Sequence, residues 1–241
     1  MSEKLVPGIR SGLLSAIVCS ALVLAAPVSG QNLTITNARI IMTPDNIIEN
    51  GSIVVEDGRI SSVSAGDPGR TRGRVIDAEG LTAMAGFIDG HKHVRPSEDF
   101  EAQMLSLLEA GYTTILEGGN DGDVNLEMIE RIDSGEVLGP RIIASHRPNF
   151  LAMTPQQARA EIREMAEKGI MHTGEIALTP EPAPPQSEIP VLKAIVEEAA
   201  EVGVQVNVHA DSTPATVAAV EAGVKRLVHL PNKDWTGHDE A

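Results

Sequence analysis

The sequence predicts an α/β fold in which a small β unit precedes a parallel sheet that curls toward a barrel. Three observations carry this. Short strands and tight turns fill residues 31–85, and near Ala85 the apolar pattern changes to strands alternating with helices of about a dozen residues. Helix after helix then closes on a glycine that leads directly into a β-rich run.

Residues 1–30 precede this fold. Lys4 and Arg10 introduce the apolar run "SGLLSAIVCSALVLAAP", which ends in the small-residue exit "VSG", the layout of a secretory signal peptide cut after Gly30. The protein is therefore expected to be exported, to the periplasm or beyond. The apolar run is shorter than the ~20 residues a spanning helix needs, so no stable membrane anchor is expected. Val18 stands before Cys19 where a lipidation site wants a small residue. Cys19 is the only cysteine, so the mature chain would hold any metal through nitrogen and oxygen. The net charge of −15 remains strongly negative without the leader, and such a surface repels phosphate backbones, which argues against nucleic acid as a partner. With aromatic content of only 2%, the core must be built from Ala, Val, Ile, Leu and Met.

From Gln31 to Ala85 the runs "LTITNARII", "GSIVV", "RISSV" and "RVIDAEG" read as strands, with Asp57-Gly58 placed as a two-residue hairpin turn. From residue 86 to 241 the βα series begins. Ser97 precedes "EDFEAQMLSLLEAG", Thr154 and Pro155 open "TPQQARAEIREMAEKG" with Gln157 set for a capping box, and Thr213 and Pro214 open "TPATVAAVEAG". Gly111, Gly169, Gly203 and Gly223 supply the left-handed residues that stop helices, and the strands "YTTILEGG", "IMHTGEIAL", "VQVNVHAD" and "VKRLVHL" follow them. With "GFIDGHKHV" and "GPRIIASH" the strands number six, and crossovers of one hand curl such a sheet.

The titratable groups follow the same order. In the extended run "GFIDGHKHV", Asp89, His91 and His93 occupy alternate positions and share a face, so the two imidazoles converge. Packing or solvation is one use of that pair; a divalent metal, which takes neutral imidazole nitrogens side by side, is the other. In parallel α/β folds chemistry gathers at the C-terminal ends of strands. His91 and His93 end the first barrel strand, Glu175 lies within the fourth, His209 ends the fifth and His229 the sixth. That distribution favours the metal.

The motifs "GFIDGHKH", "TGEIAL", "NVHAD" and "LVHL" resemble the metal-dependent amidohydrolase superfamily, with its enamidase and imidazolonepropionase-like branches nearest. The resemblance implies a TIM-like (β/α)₈ barrel, incomplete here with about six βα units, preceded by a small β-sandwich segment. It implies one divalent metal on His91 and His93, a second on His209 and His229, and Glu175 as the bridge between them. Zinc is the expected ion, as one or two atoms. The implied reaction is hydrolysis of a carbon–nitrogen bond in a small amide or cyclic compound by an activated water. A deaminase would use the same ligands, and a non-catalytic metal-binding remnant would keep them without the chemistry.

Other residues are read beside these. Asp89 sits deeper than His91 on the same face and is expected to orient it. His146 and Arg147, in the loop after the third barrel strand, are placed to reach a substrate carboxylate, or else are solvated. His172 has the opposite parity from Glu175 and is expected to face outward. Two departures from the family pattern stand out. Ala85 precedes Gly86 where proline is usual. No segment reads as a seventh or eighth strand, and Asp234 and Asp239 follow His229 too closely to supply the aspartate of the last strand that acts as general base. That catalytic role is left without a residue, and the chain is expected to be the front part of a longer enzyme or a truncated product. Edges left unpaired by such a sheet would favour a homo-oligomer.

Overall fold

The computed structural model describes residues 32–180 and 183–232. The expected leader, Asp234 and Asp239 lie outside these residues. Two compact units divide the chain, Met1–Met84 and Ala85–Ala241. Among the described residues no helix is long and apolar enough to cross a membrane.

The first unit is built from β1 (Leu33–Thr43), β2 (Asn46–Glu56), β3 (Arg59–Ala65), β4 (Arg74–Asp77) and β5 (Thr82–Met84). Asp57 and Gly58 join β2 to β3 with φ of 52° and 75°, the paired positive angles whose twist matches a two-residue hairpin. Asn37 has φ of 52° where the β1–β2 register shifts, a bulge that bends β1. On its other edge β1 pairs in parallel with β4 through Leu33–Thr36 and with β5 through Arg39–Ile41. All five strands thus belong to one sheet, in the order β3-β2-β1-β4 with β5 also on β1. The expected sandwich is not confirmed among the described residues. β1 gathers three of the other four strands to its own edges, so the described residues leave none to form a facing layer.

The second unit alternates strand and helix. Its strands are β6 (Phe87–Lys92), β7 (Tyr112–Glu117), β8 (Arg141–Ile143), β9 (His172–Ala177), β10 (Gln205–His209) and β11 (Arg226–Val228). Its helices are α1 (Phe100–Glu109), α2 (Gly122–Asp133), α3 (Pro155–Glu167), α4 (Glu188–Val202) and α5 (Thr213–Glu221). Parallel pairing gives β6-β7-β8 and β9-β10-β11, and a parallel bridge between His146 and Thr173 joins the halves in chain order. The row is curled: Nη2 of Arg226 on β11 donates to the carbonyl of Gly90 on β6 at 3.0 Å, across 136 residues of sequence. Among the described residues, five βα units and a sixth strand follow one another, an arrangement consistent with part of a barrel.

Local chemistry sets the element ends. Thr154 accepts from the Gln157 amide while the Gln157 side chain accepts from the Thr154 amide, so the capping box of α3 is present. Gly111, Gly169, Gly203 and Gly223 have φ between 78° and 90°, which lets the chain leave each helix and enter the next strand. Two caps differ from the sequence reading. Asp99, and not Ser97, is the N-cap of α1, and Ser212 caps α5 by accepting from the Ala215 amide, which makes Thr213 the first helical residue. Each half-sheet has its own helix-facing core: Phe100, Met104, Ile115, Met128 and Ile142 for β7 and β8, and Ile162, Ile176, Leu192, Ile195 and Val208 for β9 and β10. Because Ile176 and Val208 face the helices, the alternate residues Glu175 and His209 face the concave side.

Candidate metal centre

Glu175 is 7% exposed, and four imidazoles surround its carboxylate. Nε2 of His91 lies 3.4 Å from Oε2 and Nε2 of His93 3.3 Å from Oε1. Nδ1 of His209 and Nε2 of His229 approach Oε2 at 3.0 Å and 3.3 Å. The rings pack edge to face, with centroids 5.3 Å apart for His91 and His229 and 4.5 Å for His209 and His229. The structure therefore brings together five residues that are separated by up to 138 positions in the chain, at the C-terminal ends of β6, β9, β10 and β11.

Backbone irregularity aims two of these side chains. The β6–β7 register passes from Asp89 opposite Ile115 to Lys92 opposite Glu117, one residue longer on β6, so a bulge turns the strand at Gly90 and His91. His229 has φ of 69°, a left-handed conformation that costs a residue with a Cβ roughly 1–2 kcal/mol. Such strain persists where the surroundings over-determine it, and functional sites are its usual home.

The electrostatics suit a cation. Burial holds the His91 imidazole below its ordinary pKa, against the pull of Glu175, so it is a neutral donor at physiological pH. Burial would raise the Glu175 carboxyl, but the His209 hydrogen bond and the charges of His93 and His209 outweigh it and hold the group ionised. Among the described residues no lysine or arginine pairs with Glu175. A buried carboxylate ringed by imidazole nitrogens, with no organic cation beside it, fits a divalent metal. His91, Glu175 and His229 each offer one ligand atom within 4.8 Å of the others.

The remaining predicted residues fall in different places. Asp89 touches His91 through the backbone: its Oδ1 accepts from the His91 amide at 3.0 Å. His146 is turned away from the cluster, for its Nδ1 accepts from the Gly122 amide at 3.1 Å and its Nε2 faces Glu161 of α3 at 2.7 Å. Arg147 lines a cavity of about 400 Å³ together with Asn149, Phe150 and Glu175. His172 starts β9 with the parity of Ile176, away from Glu175. Two residues escaped the sequence reading. Oδ2 of the buried Asp211 lies 3.1 Å from Nε2 of His209, so this imidazole has a carboxylate on either nitrogen. Its signal was the spacing His-x-Asp at the end of a strand. Glu117, fully buried at the end of β7, had no signal beyond its place there.

The amidohydrolase family model matches residues 82–236. A dihydroorotase from Geobacter metallireducens is 24% identical over 88% of this chain and 50% of its own length. An imidazolonepropionase from Caldanaerobacter subterraneus subsp. tengcongensis is 37% identical over 30% of this chain and 18% of its own. Among solved structures, a Xaa-Pro dipeptidase superposes with a TM-score of 0.65 at 20% identity, over 82% of this chain and 61% of that one. Molinate hydrolase gives 0.64 at 20%, over 83% and 58%. The chain thus spans half the length of the dihydroorotase it matches along most of its own. With its matched family model running through every one of the five clustered residues, the chain belongs to the metal-dependent amidohydrolase superfamily.

Proposed function

We propose that this chain carries the metal-binding part of a hydrolase that opens carbon–nitrogen bonds in small amides or related cyclic compounds. The observation that carries the proposal is the Glu175 carboxylate with imidazole nitrogens of His91, His93, His209 and His229 within 3.4 Å. Likeness to dihydroorotases and to an imidazolonepropionase supports the bond type.

His91 and His93 would hold one ion and His209 and His229 a second, with Glu175 shared between them; zinc suits these nitrogen and oxygen donors. A divalent metal, when bound, supplies a nucleophilic water at neutral pH and polarises the carbonyl under attack. The chain's own residues do the rest. Asp89 fixes the peptide that carries His91, and Asp211 faces the second nitrogen of His209, setting its tautomer. Arg147 opens onto the cavity that Glu175 borders, where its planar fork would receive a substrate carboxylate.

The purified chain should bind Zn²⁺ in elemental analysis, and the double variant His91→Ala, His93→Ala should lose most of it. Metal content unchanged by the double substitution would overturn the site. A carboxylate-bearing cyclic amide should bind the Zn²⁺-loaded chain in calorimetry and bind Arg147→Ala at least tenfold more weakly. Equal affinity for both proteins would remove Arg147 from the substrate site.

A further inference from the structure

The turn that follows β7, Glu117-Gly118-Gly119-Asn120, touches the metal cluster on two sides, and no chemistry has yet been assigned to it. Gly118 donates its amide to the carbonyl of Lys92, the residue between the two histidines, at 2.9 Å. Its own carbonyl accepts from the amide of Glu175 at 2.8 Å. One residue therefore ties the backbone of the histidine pair at the end of β6 to that of Glu175 on β9. Asn120 adds a third tie, from its Nδ2 to the carbonyl of Val94 at 2.7 Å.

Neither Gly118 nor Gly119 has a positive φ, so backbone freedom is not why glycine stands there. Space is. A Cβ on Gly118 would lie 2.6 Å from Cε1 and Nδ1 of His91, and a Cβ on Gly119 would lie 2.5 Å from Nδ1 of His93. Each imidazole rests on the bare backbone of one glycine, which fixes the ring's depth and tilt.

Glu117 holds the turn in this shape. Its carboxylate is fully buried and accepts four N–H groups: Val94 at 3.3 Å and Gly119 at 2.9 Å on Oε1, Asn120 at 2.9 Å and Asn125 Nδ2 at 3.1 Å on Oε2. Val94 follows His93 directly, so the carboxylate grips the chain on both sides of the contact between turn and histidines. An ionised carboxylate is acceptor only, which is what four converging donors require.

We infer that Glu117, Gly118 and Gly119 form a positioning device that sets the spacing of His91 and His93 from each other and from Glu175, and with it the affinity and geometry of the metal site. This rests on the metal reading proposed above. Residues that orient ligands typically cost about 10–100-fold in metal affinity when changed.

The test uses the full chain with Zn²⁺ in calorimetry, Co²⁺ in visible absorption, and thermal melting of the metal-free protein. Gly118→Ala, Gly119→Ala and Glu117→Gln should each bind Zn²⁺ about 10–100-fold more weakly than the parent and shift the Co²⁺ bands. Thr154→Ala, which weakens the α3 cap far from the turn, should lower the melting temperature and leave both metal readouts alone. Gly119→Ala is the variant best able to fold, since the ring it meets is half-exposed and can move. If the parent binds Zn²⁺ and all three variants match it in affinity and Co²⁺ spectrum, the positioning role is overturned while the metal site stands. If the parent itself binds no Zn²⁺, the metal reading fails and this inference with it.

Discussion

His172 opens β9 three residues before Glu175, and the two side chains meet different surroundings. Burial lowers its pKa from the ordinary 6.5, and the positive charge of Arg226 lowers it further. The unfolded chain therefore takes up a proton at higher pH than the folded one. A depressed folded pKa gives stability that is present above about 6.5 and is lost as the pH falls through the folded value. His172→Gln should accordingly flatten the fall of melting temperature between pH 7 and pH 5. Parallel curves for variant and parent would show that the residue is not titrating in this way. Its outward parity was readable from the alternation of β9, and so was the inward parity of Glu175. The contacts of Glu117 and Asp211 were not, because each depends on which backbone amide or ring nitrogen a carboxylate meets, and alternation fixes only a face.

At the scale of elements, α3 and α4 are joined by a pairing that periodicity does not disclose. Nε and Nη2 of Arg163 meet Oε1 and Oε2 of Glu198 at 2.6 Å and 2.7 Å, a fork on a carboxylate. The two ends differ in exposure: the Glu198 side chain is 3% exposed and that of Arg163 54%. Removing the arginine leaves a buried charge whose next cation is Arg159, at 3.8 Å. Removing the glutamate leaves a guanidinium that water can reach. Arg163→Ala should then cost about 3 kcal/mol, and Glu198→Ala distinctly less. Denaturant melts of the two variants decide it, and a larger loss from Glu198→Ala would reverse the assignment of the buried partner. The helices themselves were legible through their glycine stops and the capping box at Thr154. The shifted starts of α1 and α5 were not, since Ser97 and Asp99, or Ser212 and Thr213, are competent caps one or two residues apart.

At the scale of the molecule, the order of βα units and the gathering of His91, His93, Glu175, His209 and His229 at strand ends followed from one periodicity and one rule about where parallel sheets do chemistry. The sheet arrangement of the first unit did not follow. Strand propensity says that residues 32–84 are extended, but the bulge near Asn37, which lets β1 serve β4 and β5 on one edge, arises from pairing partners distant in sequence. The same ladders argue for self-association. Among the described residues β6 pairs only with β7, and β11 only with β10, so, apart from the Gly90 carbonyl that Arg226 occupies, each offers an edge of backbone N–H and C=O groups with no strand paired to it. Apolar side chains lie on or beside these edges: Ile88 is 71% exposed, Phe87 51% and Leu230, just past β11, 80%. An unpaired edge with apolar side chains is a template for another copy of the chain, and no proline interrupts β6. The 241-residue chain should therefore dimerise or aggregate in light scattering, and Ile88→Lys, which places a charge on the β6 edge, should raise the monomer fraction. A parent chain that is monodisperse and monomeric at micromolar concentration would rule out edge-driven assembly. A self-associating parent unaffected by Ile88→Lys would move the contact to a different surface.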